Sequence, residues 1–179
     1  INVSNPEKPI HTSLYRKPAE DGGLSSVYVV GNYVYLLNGN GMGSFEILDI
    51  SDPVNPHLIG ATTPFDYLVQ GVTVSGVFAY VAAGSAGLRI VNIATPSNPS
   101  EVGAWDSPGF AENVAVSGST AYLADGPYGL RVVDVSNPTM PAEIAHAFDT
   151  NYAVDVAING RYAYIAADGF EDGIKPPDG

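Results

Sequence analysis

The chain has 179 residues, with 19 acidic and 7 basic side chains and a formal net charge of −12. This length suits one domain, and 45% hydrophobic residues with only 15% charged residues predict a packed core rather than a disordered acidic chain. The negative charge argues against nucleic acid, which is bound by clustered basic side chains. No apolar run is long enough for direct insertion into a membrane. Cysteine is absent, which excludes disulfides and thiol chemistry.

The 20 glycines and 14 prolines are spread along the chain, which predicts many short elements separated by turns. One pattern recurs: VTVSG followed by AYVA at residues 72–76 and 79–82 returns in similar form at 114–118 with 121–124 and at 156–160 with 163–166. A looser copy lies at 27–31 and 34–36. The tyrosines of the four copies lie 42 to 45 residues apart, at Tyr35, Tyr80, Tyr122 and Tyr164.

A second landmark keeps the same phase. Pairs of prolines three residues apart recur every 42 to 47 residues, at Pro6 and Pro9, Pro53 and Pro56, Pro96 and Pro99, and Pro138 and Pro141. Between these landmarks, each unit has four short β-rich runs bounded by Gly, Asn, Asp or Pro, and no window has a sustained helical period. A repeat of this length with four antiparallel strands predicts a propeller blade, which must stack against neighbouring blades to bury its faces.

The third strand of the unit carries the most specific motif. Residues 129–138, GLRVVDVSNP, and their related copies at 87–93 and 45–53 resemble the motif of the LVIVD repeat, a propeller-type repeat of bacterial and archaeal proteins. Many of those proteins are secreted or attached to the cell surface. The resemblance implies a β-propeller with a binding or scaffolding role, located outside the cell or at its surface, and it brings no catalytic residues.

We therefore expect one all-β domain over residues 1–179, built from four-stranded antiparallel blades and amounting to about four blade equivalents. The repeat landmarks predict an outer half-blade at residues 1–23, full blades at 24–67, 68–109 and 110–151, and an inner half-blade at 152–175. Two arrangements remain open at this stage. The two halves pair and close a four-bladed ring, or the chain is an arc of a larger propeller with further blades from the same or another chain.

Function in a propeller is expected on the rim formed by the loops that enter the inner strands and the loops that join the second and third strands. Eleven of the 19 acids fall in these loops, namely Glu20, Asp21, Asp66, Asp106, Glu112, Asp125, Asp149, Asp155, Asp168, Glu171 and Asp172. Aromatic residues share the same loops. The predicted ligand-binding residues of this rim are Tyr67, Gln70, Trp105, Phe110, Glu112, Tyr128, Tyr152 and Asp155.

An acidic and aromatic rim is suited to a glycan, whose sugar faces stack on aromatic rings, or to a basic protein partner. The opposing interpretation is that the aromatic rings fill gaps between blades and the acids are simply solvated. A purely structural role, as an assembly segment of a filament, coat or multidomain surface protein, is the first alternative function. Arg89 and Arg131 recur at one repeat position and are expected to pair with acids of neighbouring blades or to cover apolar surface.

Catalysis and metal binding have weaker support in the sequence. Glu112 and Asp155 are the nearest approach to a catalytic carboxylate pair, which would suit a polysaccharide-active enzyme. Asp168, Glu171 and Asp172 lie in a glycine-bearing turn whose oxygen ligands suit calcium, but an Asp-Gly pair is also ordinary hairpin chemistry. We predict a non-catalytic module without a cofactor, and calcium is the open alternative.

Overall fold

The computed structural model describes residues 1–16, 23–39, 43–147 and 152–168. Within these residues, the regular structure consists of β-strands alone, in three four-stranded antiparallel sheets and one two-stranded sheet. The predicted all-β architecture is confirmed, and the sheets form an arc of propeller blades. The described part of the chain has no helix long and apolar enough to cross a membrane.

Each full blade is a meander in which consecutive strands pair, so strand order in space follows the sequence. Blade 1 contains β1 (Leu24–Val30), β2 (Tyr33–Asn38), β3 (Ser44–Asp49) and β4 (His57–Ala61). Blade 2 contains β5 (Gly71–Ser75), β6 (Phe78–Ala82), β7 (Leu88–Asn92) and β8 (Ser100–Trp105). Blade 3 contains β9 (Asn113–Ser117), β10 (Thr120–Ala124), β11 (Leu130–Asp134) and β12 (Ala142–Ala147). The half-blade contains β13 (Tyr152–Asn159) and β14 (Tyr162–Asp168).

Blade 2 shows why the repeat carries uninterrupted apolar runs. Successive residues of a strand point to opposite faces of its sheet, and both faces of this blade are covered. Along β6, Ala79 and Val81 belong to the core shared with blade 1, while Tyr80 and Ala82 belong to the core shared with blade 3. All four are almost completely buried. The repeat therefore folds by stacking, because a blade between two others supplies half of two cores.

The polar end of the third-strand motif sets the turn that follows it. The side-chain oxygens of Asp49, Asn92 and Asp134 each accept a hydrogen bond from the backbone N–H two residues later, at 2.7, 2.9 and 2.8 Å. Such side-chain turns stop the strand and redirect the chain toward the outer strand. Asn2 makes the same contact with the N–H of Ser4 at 2.9 Å.

The N-terminal segment repeats this geometry on a smaller scale. Asn2 and Ile10 form an antiparallel bridge, with the backbone N–H of each residue donating to the carbonyl of the other at 2.7 and 2.9 Å. The spacing of the two residues equals that between the paired residues Asp134 and Ala142 of β11 and β12. Residues 1–16 thus have the conformation of a third and fourth strand.

Neighbouring blades approach closely at their outer strands. A Cβ atom on Gly60 in β4 would lie 2.0 Å from the carbonyl oxygen of Pro96 in blade 2, and one on Gly103 in β8 would lie 1.9 Å from that of Pro138 in blade 3. Only glycine fits between the strand and the next blade's turn at such distances. The corresponding position in β12 is Ala145, opposite Val132 in the same register.

The rim contributes a second joint between blades. Gly126 of blade 3 exchanges two backbone hydrogen bonds with Ala153 of the half-blade, at 3.2 and 2.9 Å, and Gly84 of blade 2 does the same with Ala111 at 3.1 and 2.9 Å. Gly126 has a φ of 54°, a left-handed conformation that side chains disfavour. The Asp-Gly pair at 125–126 is therefore part of a structural joint.

The two ends of the arc expose repeat positions that are buried inside it. The inner-strand valines Val72, Val114 and Val156 are at most 6% exposed, because each packs against the preceding blade, whereas Val27 of β1 is 62% exposed. Tyr164 of β14 is 57% exposed, while its counterparts Tyr35 and Tyr80 are each 4% exposed. Between the inner strands of all four units lies a central cavity of about 380 Å³.

Within the described residues, β14 pairs with β13 alone, and no pairing joins it to the N-terminal segment. The ring that the sequence allowed, sealed by pairing of the two half-blades, is therefore not formed among these residues. The arc is the arrangement observed.

Candidate functional site

Two predicted rim residues, Tyr67 and Tyr128, lie in clusters of charged and aromatic side chains, and two others, Glu112 and Asp155, directly precede residues that line the central cavity. The first cluster is built around Arg89 of β7 and the second around Arg131 of β11, two residues at the same position of the repeat. Both lie next to the outer strand of their own blade. We call them the Arg89 cluster, which consists of Phe65, Tyr67, Arg89, Glu101 and Asp106, and the Arg131 cluster, which consists of Ser107, Asp125, Tyr128, Arg131 and Glu143.

The Arg89 cluster joins blades 1 and 2. The Arg89 Nη2 group lies 2.7 Å from Asp106 Oδ1, and its Nε atom lies 3.9 Å from Glu101 Oε1. Its guanidinium lies over the ring of Tyr67, 5.1 Å from the ring centroid, which is a favourable cation–π contact. Both acids belong to the same repeat as the arginine, so the expected pairing with an acid of the neighbouring blade is wrong here.

Tyr67 is occupied on its ring and at its hydroxyl. Phe65 stacks against the ring at a centroid distance of 5.0 Å and an interplanar angle of 9°. The hydroxyl donates a 2.6 Å hydrogen bond to Glu101 Oε2. Burial and the adjacent Glu101 carboxylate raise the pKa of Tyr67 well above its usual value. Tyr67 therefore acts as a neutral donor that holds Glu101 in place.

The Arg131 cluster has the same arginine and outer-strand glutamate but a buried second acid. Arg131 Nη1 lies 3.0 Å from Glu143 Oε1, and its Nε atom lies 3.5 Å from Asp125 Oδ2. The guanidinium lies 5.5 Å from the centroid of the Tyr128 ring. Asp125 and Glu143 again belong to the same blade as the arginine, because the β10–β11 loop and β12 flank its strand.

Asp125 is completely buried and is held from the preceding connection. Ser107 Oγ donates to Asp125 Oδ1 at 2.6 Å, and the backbone N–H of Gly109 donates to Asp125 Oδ2 at 3.2 Å. Burial raises the pKa of Asp125 to about 6, although these hydrogen bonds and Arg131 favour the ionised form. The sequence indicated only an acid in a turn, because its burial depends on the loop at 107–109.

At the cavity mouth, the two carboxylates of the suggested catalytic pair have separate partners. Tyr152 Oη donates to Glu112 Oε1 at 2.8 Å, and the amide of Asn113 donates to Asp155 Oδ1. Burial, followed by the hydrogen bond and charge of Glu112, raises the pKa of Tyr152 to about 12. Each acid is thus tied to a different neighbour.

The remaining predicted rim residues contribute mainly packing. Trp105 ends β8 opposite Leu88 and packs against the core between blades 2 and 3. The Phe110 ring lies against Gly84, where a Cβ atom would meet its Cζ at 2.9 Å. Gln70 donates its backbone N–H to the carbonyl of Ala82 at 2.8 Å. That these residues bind a ligand stays a prediction.

The calcium hypothesis rests mostly on residues beyond the described ranges. Asp168 is the last residue of β14, and Glu171 and Asp172 lie outside the part of the chain that the structure describes. Across the described ranges, no three His, Asp or Glu side chains are placed together to hold a metal ion. The calcium site therefore stays a prediction.

A groove of about 640 Å³ lies on the side of the arc next to the Arg89 cluster. One wall is the connection from β4 to β5, residues 61–67, and the other is the turn and first residues of β8, residues 98–101. Its polar lining groups are those of Thr62, Thr63, Asp66, Tyr67, Asn98, Ser100 and Glu101. This volume is in the usual range for small-ligand or peptide sites. The groove itself was not predicted from the sequence, although Tyr67 and Asp66 were placed on the rim.

The sequence and fold can now be compared with known proteins. No curated protein matches the chain. Among solved structures, the computationally designed Ika4 protein is similar at a TM-score of 0.69 and 12% identity, covering 89% of this chain and 93% of that chain. The computationally designed Ika8 protein is similar at a TM-score of 0.65 and 11% identity, covering 80% of this chain and 42% of that chain, so the present chain spans less than half of its length. These likenesses support the fold alone.

The family comparison is more specific because it follows the repeat along the chain. The LVIVD repeat model matches four times, at residues 21–63, 68–107, 108–149 and 151–170. These matches confirm the resemblance seen in the third-strand motif and cover most of the sequence. The chain belongs to the LVIVD-repeat family.

Proposed function

We propose that the chain is a non-catalytic binding module that presents its acidic rim and the adjoining groove to a basic protein, outside the cell or at the cell surface. The supporting observation is that aromatic rings of the rim are covered by other side chains, whereas several of its acids are exposed. The ring of Tyr67 is stacked against Phe65 and Arg89, and that of Tyr128 lies against Arg131. The acids Asp66, Asp106 and Asp155 remain exposed.

This contrast favours a protein over a glycan. A sugar binds best where an aromatic face and a hydrogen-bonding hydroxyl are available together. The hydroxyls of Tyr67 and Tyr152 are already committed to Glu101 and Glu112. Exposed carboxylates on a chain of net charge −12 attract a basic surface and speed its association. Catalysis has less support, because Glu112 and Asp155 are each held by a different side chain.

Parallel binding to a peptide array and a glycan array tests this proposal. The peptide array carries sequences of equal length that are basic, neutral or acidic, and each array is probed at low and at high salt. We expect signals on basic peptides that weaken with salt, because exposed charges are screened. Binding to glycans in place of peptides, or no binding to either array, would overturn the proposal.

An assembly function is the second candidate, and the exposed ends of the arc favour it. Val27 at one end occupies a repeat position that is buried at each blade contact, and Tyr164 at the other occupies one that is buried or partly buried there. The opposite ends of two copies of the chain therefore carry the two surfaces that pack together where neighbouring blades meet. Sedimentation of the chain over a range of concentrations, with Val27→Asp and the control Val77→Asp, tests this function. Val77 lies in an exposed turn between β5 and β6 and is 48% exposed.

We expect the mass to rise with concentration in the unmodified chain and in Val77→Asp, and to stay monomeric in Val27→Asp. A chain that is monomeric at every concentration, or equal association of the two variants, would remove the assembly candidate. Neither result affects the test of peptide binding.

A further inference from the structure

The groove between blades 1 and 2 has a lining of one charge sign. Its two ionisable acids are Asp66 and Glu101, and its lining contains no lysine, arginine or histidine. The other polar groups are four hydroxyls, from Thr62, Thr63, Tyr67 and Ser100, and the Asn98 amide. Carboxylates and hydroxyl oxygens accept hydrogen bonds, so the groove is rich in acceptors. This chemistry complements a cation with several donors.

The nearest arginine offsets part of the charge of Glu101 but not that of Asp66. Arg89 is held on Asp106 at 2.7 Å and covered by the ring of Tyr67, and its side chain is 11% exposed. It lies only 3.9 Å from Glu101 Oε1, but Glu101 remains 35% exposed. Asp66 is exposed, and its carboxylate takes part in no hydrogen bond or ion pair within the described ranges. Its negative charge therefore remains available to a ligand.

The two walls also carry apolar residues. Phe65 lines the groove but is 6% exposed, so it offers no free ring face. Pro64 and Pro99 stand on opposite walls and leave no backbone N–H of their own. Carboxylates beside these apolar residues suit a side chain with an aliphatic stem and a charge at its tip.

We propose that this groove binds the guanidinium or ammonium group of an arginine or lysine in an extended segment of the partner protein, with Asp66 and Glu101 as its charged contacts. The proposal rests on the protein-binding function above and specifies its site and chemistry. Asp66 supplies an exposed charge that attracts the cation. Glu101, fixed by Tyr67, supplies a carboxylate whose position is already set, which lowers the entropy cost of binding.

The test uses a five-residue acetylated and amidated peptide with one central arginine, flanked by glycine and serine. The control peptide carries citrulline, which has nearly the same shape and no charge. Backbone amide resonances of the full chain are followed by NMR during titration with each peptide. We expect saturable shifts at residues 62–67 and 98–101 with the arginine peptide, and at most weak shifts with the citrulline peptide.

Two variants, each of which removes one negative charge, decide whether Asp66 is responsible for binding the arginine peptide. Asp66→Asn should weaken binding of the arginine peptide by about fivefold, the upper range for one exposed ion pair. Glu7→Gln, in the exposed N-terminal segment, should leave its affinity unchanged. Their unperturbed spectra elsewhere show whether each variant keeps its fold.

Equal binding of both peptides, shifts centred outside the groove, or full affinity in Asp66→Asn would overturn the proposal. If Asp66→Asn also keeps its signals on the basic peptide array, the groove assignment fails while the binding function stands. If the unmodified chain binds neither the array nor the arginine peptide, both fail together.

Discussion

The Arg89 and Arg131 clusters occupy the same place in two successive repeats, but they differ in the solvent exposure of their second acid. The Asp106 side chain is 80% exposed, whereas Asp125 is completely buried. The aromatic cover also comes from different places, since Tyr67 belongs to the connection before blade 2 and Tyr128 to a hairpin of blade 3. Both clusters thus contain an arginine and a glutamate, while the loops decide whether the second acid faces solvent.

This difference separates a contact with a groove beside it from one whose second acid is closed off from solvent. Around Arg89 the connecting loop leaves a groove beside Glu101. Around Arg131 the loop at 107–109 turns inward, and Ser107 and Gly109 donate to Asp125. The Arg89 cluster therefore holds a carboxylate, that of Glu101, at the surface. The Arg131 cluster stabilises the contact between blades.

The largest expected effect is the loss of the buried acid. Asp125→Ala removes one partner of the buried Arg131 and leaves the donors of Ser107 and Gly109 unsatisfied, so we expect the free energy of unfolding at pH 7 to fall by about 3 kcal/mol. Asp106→Ala, which removes an exposed partner of Arg89, should cost less than about 1 kcal/mol. Urea unfolding measures both values.

The double variant Asp125→Ala, Arg131→Met provides the control for that loss, because it removes the buried charge along with its partner. It should be more stable than Asp125→Ala alone. Equal stability of the two single variants, Asp125→Ala and Asp106→Ala, would contradict the contrast between the clusters.

The second largest expected effect is on the pH dependence of stability, to which the buried acid of the Arg131 cluster should contribute. Because burial raises the pKa of Asp125 from 3.8 to about 6, the folded chain binds its proton more tightly than the unfolded chain. Its contribution to stability is present below pH 4 and is lost as the pH rises through about 6, a fall of about 2 to 3 kcal/mol. Urea unfolding at several pH values measures it.

Asp125→Asn cannot ionise, so the fall between pH 4 and 6 should be missing from its stability profile. Asp106→Asn should keep the fall, since it leaves Asp125 unchanged. Parallel profiles for the unmodified chain and Asp125→Asn would show that Asp125 does not titrate with a raised pKa.

The smallest expected effect compares the two aromatic covers. Tyr67→Phe removes a hydroxyl that donates at 2.6 Å to Glu101 and should lower the free energy of unfolding by about 1 to 2 kcal/mol. Tyr128→Phe keeps the ring that lies over Arg131 and should change stability by less than about 0.5 kcal/mol. Thermal unfolding of both variants measures the difference, and a larger cost for Tyr128→Phe would reverse the comparison.

Much of the fold could be predicted from the sequence, because each copy of the repeat contains the residues that determine its own strands and turns. The Asp49, Asn92 and Asp134 turns end the third strands where the motif indicated, and the tyrosine of each copy lies in the second strand. Successive side chains of a strand then alternate between two cores, because the blades stack on both faces. These features depend on neighbouring residues, so a single sequence contains them.

The clusters were harder to predict because they depend on contacts between strands and loops. The expectation that Arg89 and Arg131 pair with neighbouring blades overlooked a constant spacing of 12 residues from each arginine to the glutamate of its own outer strand, Glu101 or Glu143. That spacing was the available signal. The burial of Asp125 had none, because it arises from the path of a loop 16 to 18 residues earlier.

The glycine contacts between blades have a consequence for how such arrays are recombined. Only glycine fits at residue 103 against the carbonyl of Pro138, and at residue 60 against that of Pro96, so each contact has one half in one blade and one half in the next. A blade transplanted alone would separate the halves of both contacts. The exchangeable module therefore includes the proline turn of the following repeat, and chimaeras joined within a blade should preserve packing better than chimaeras joined between blades.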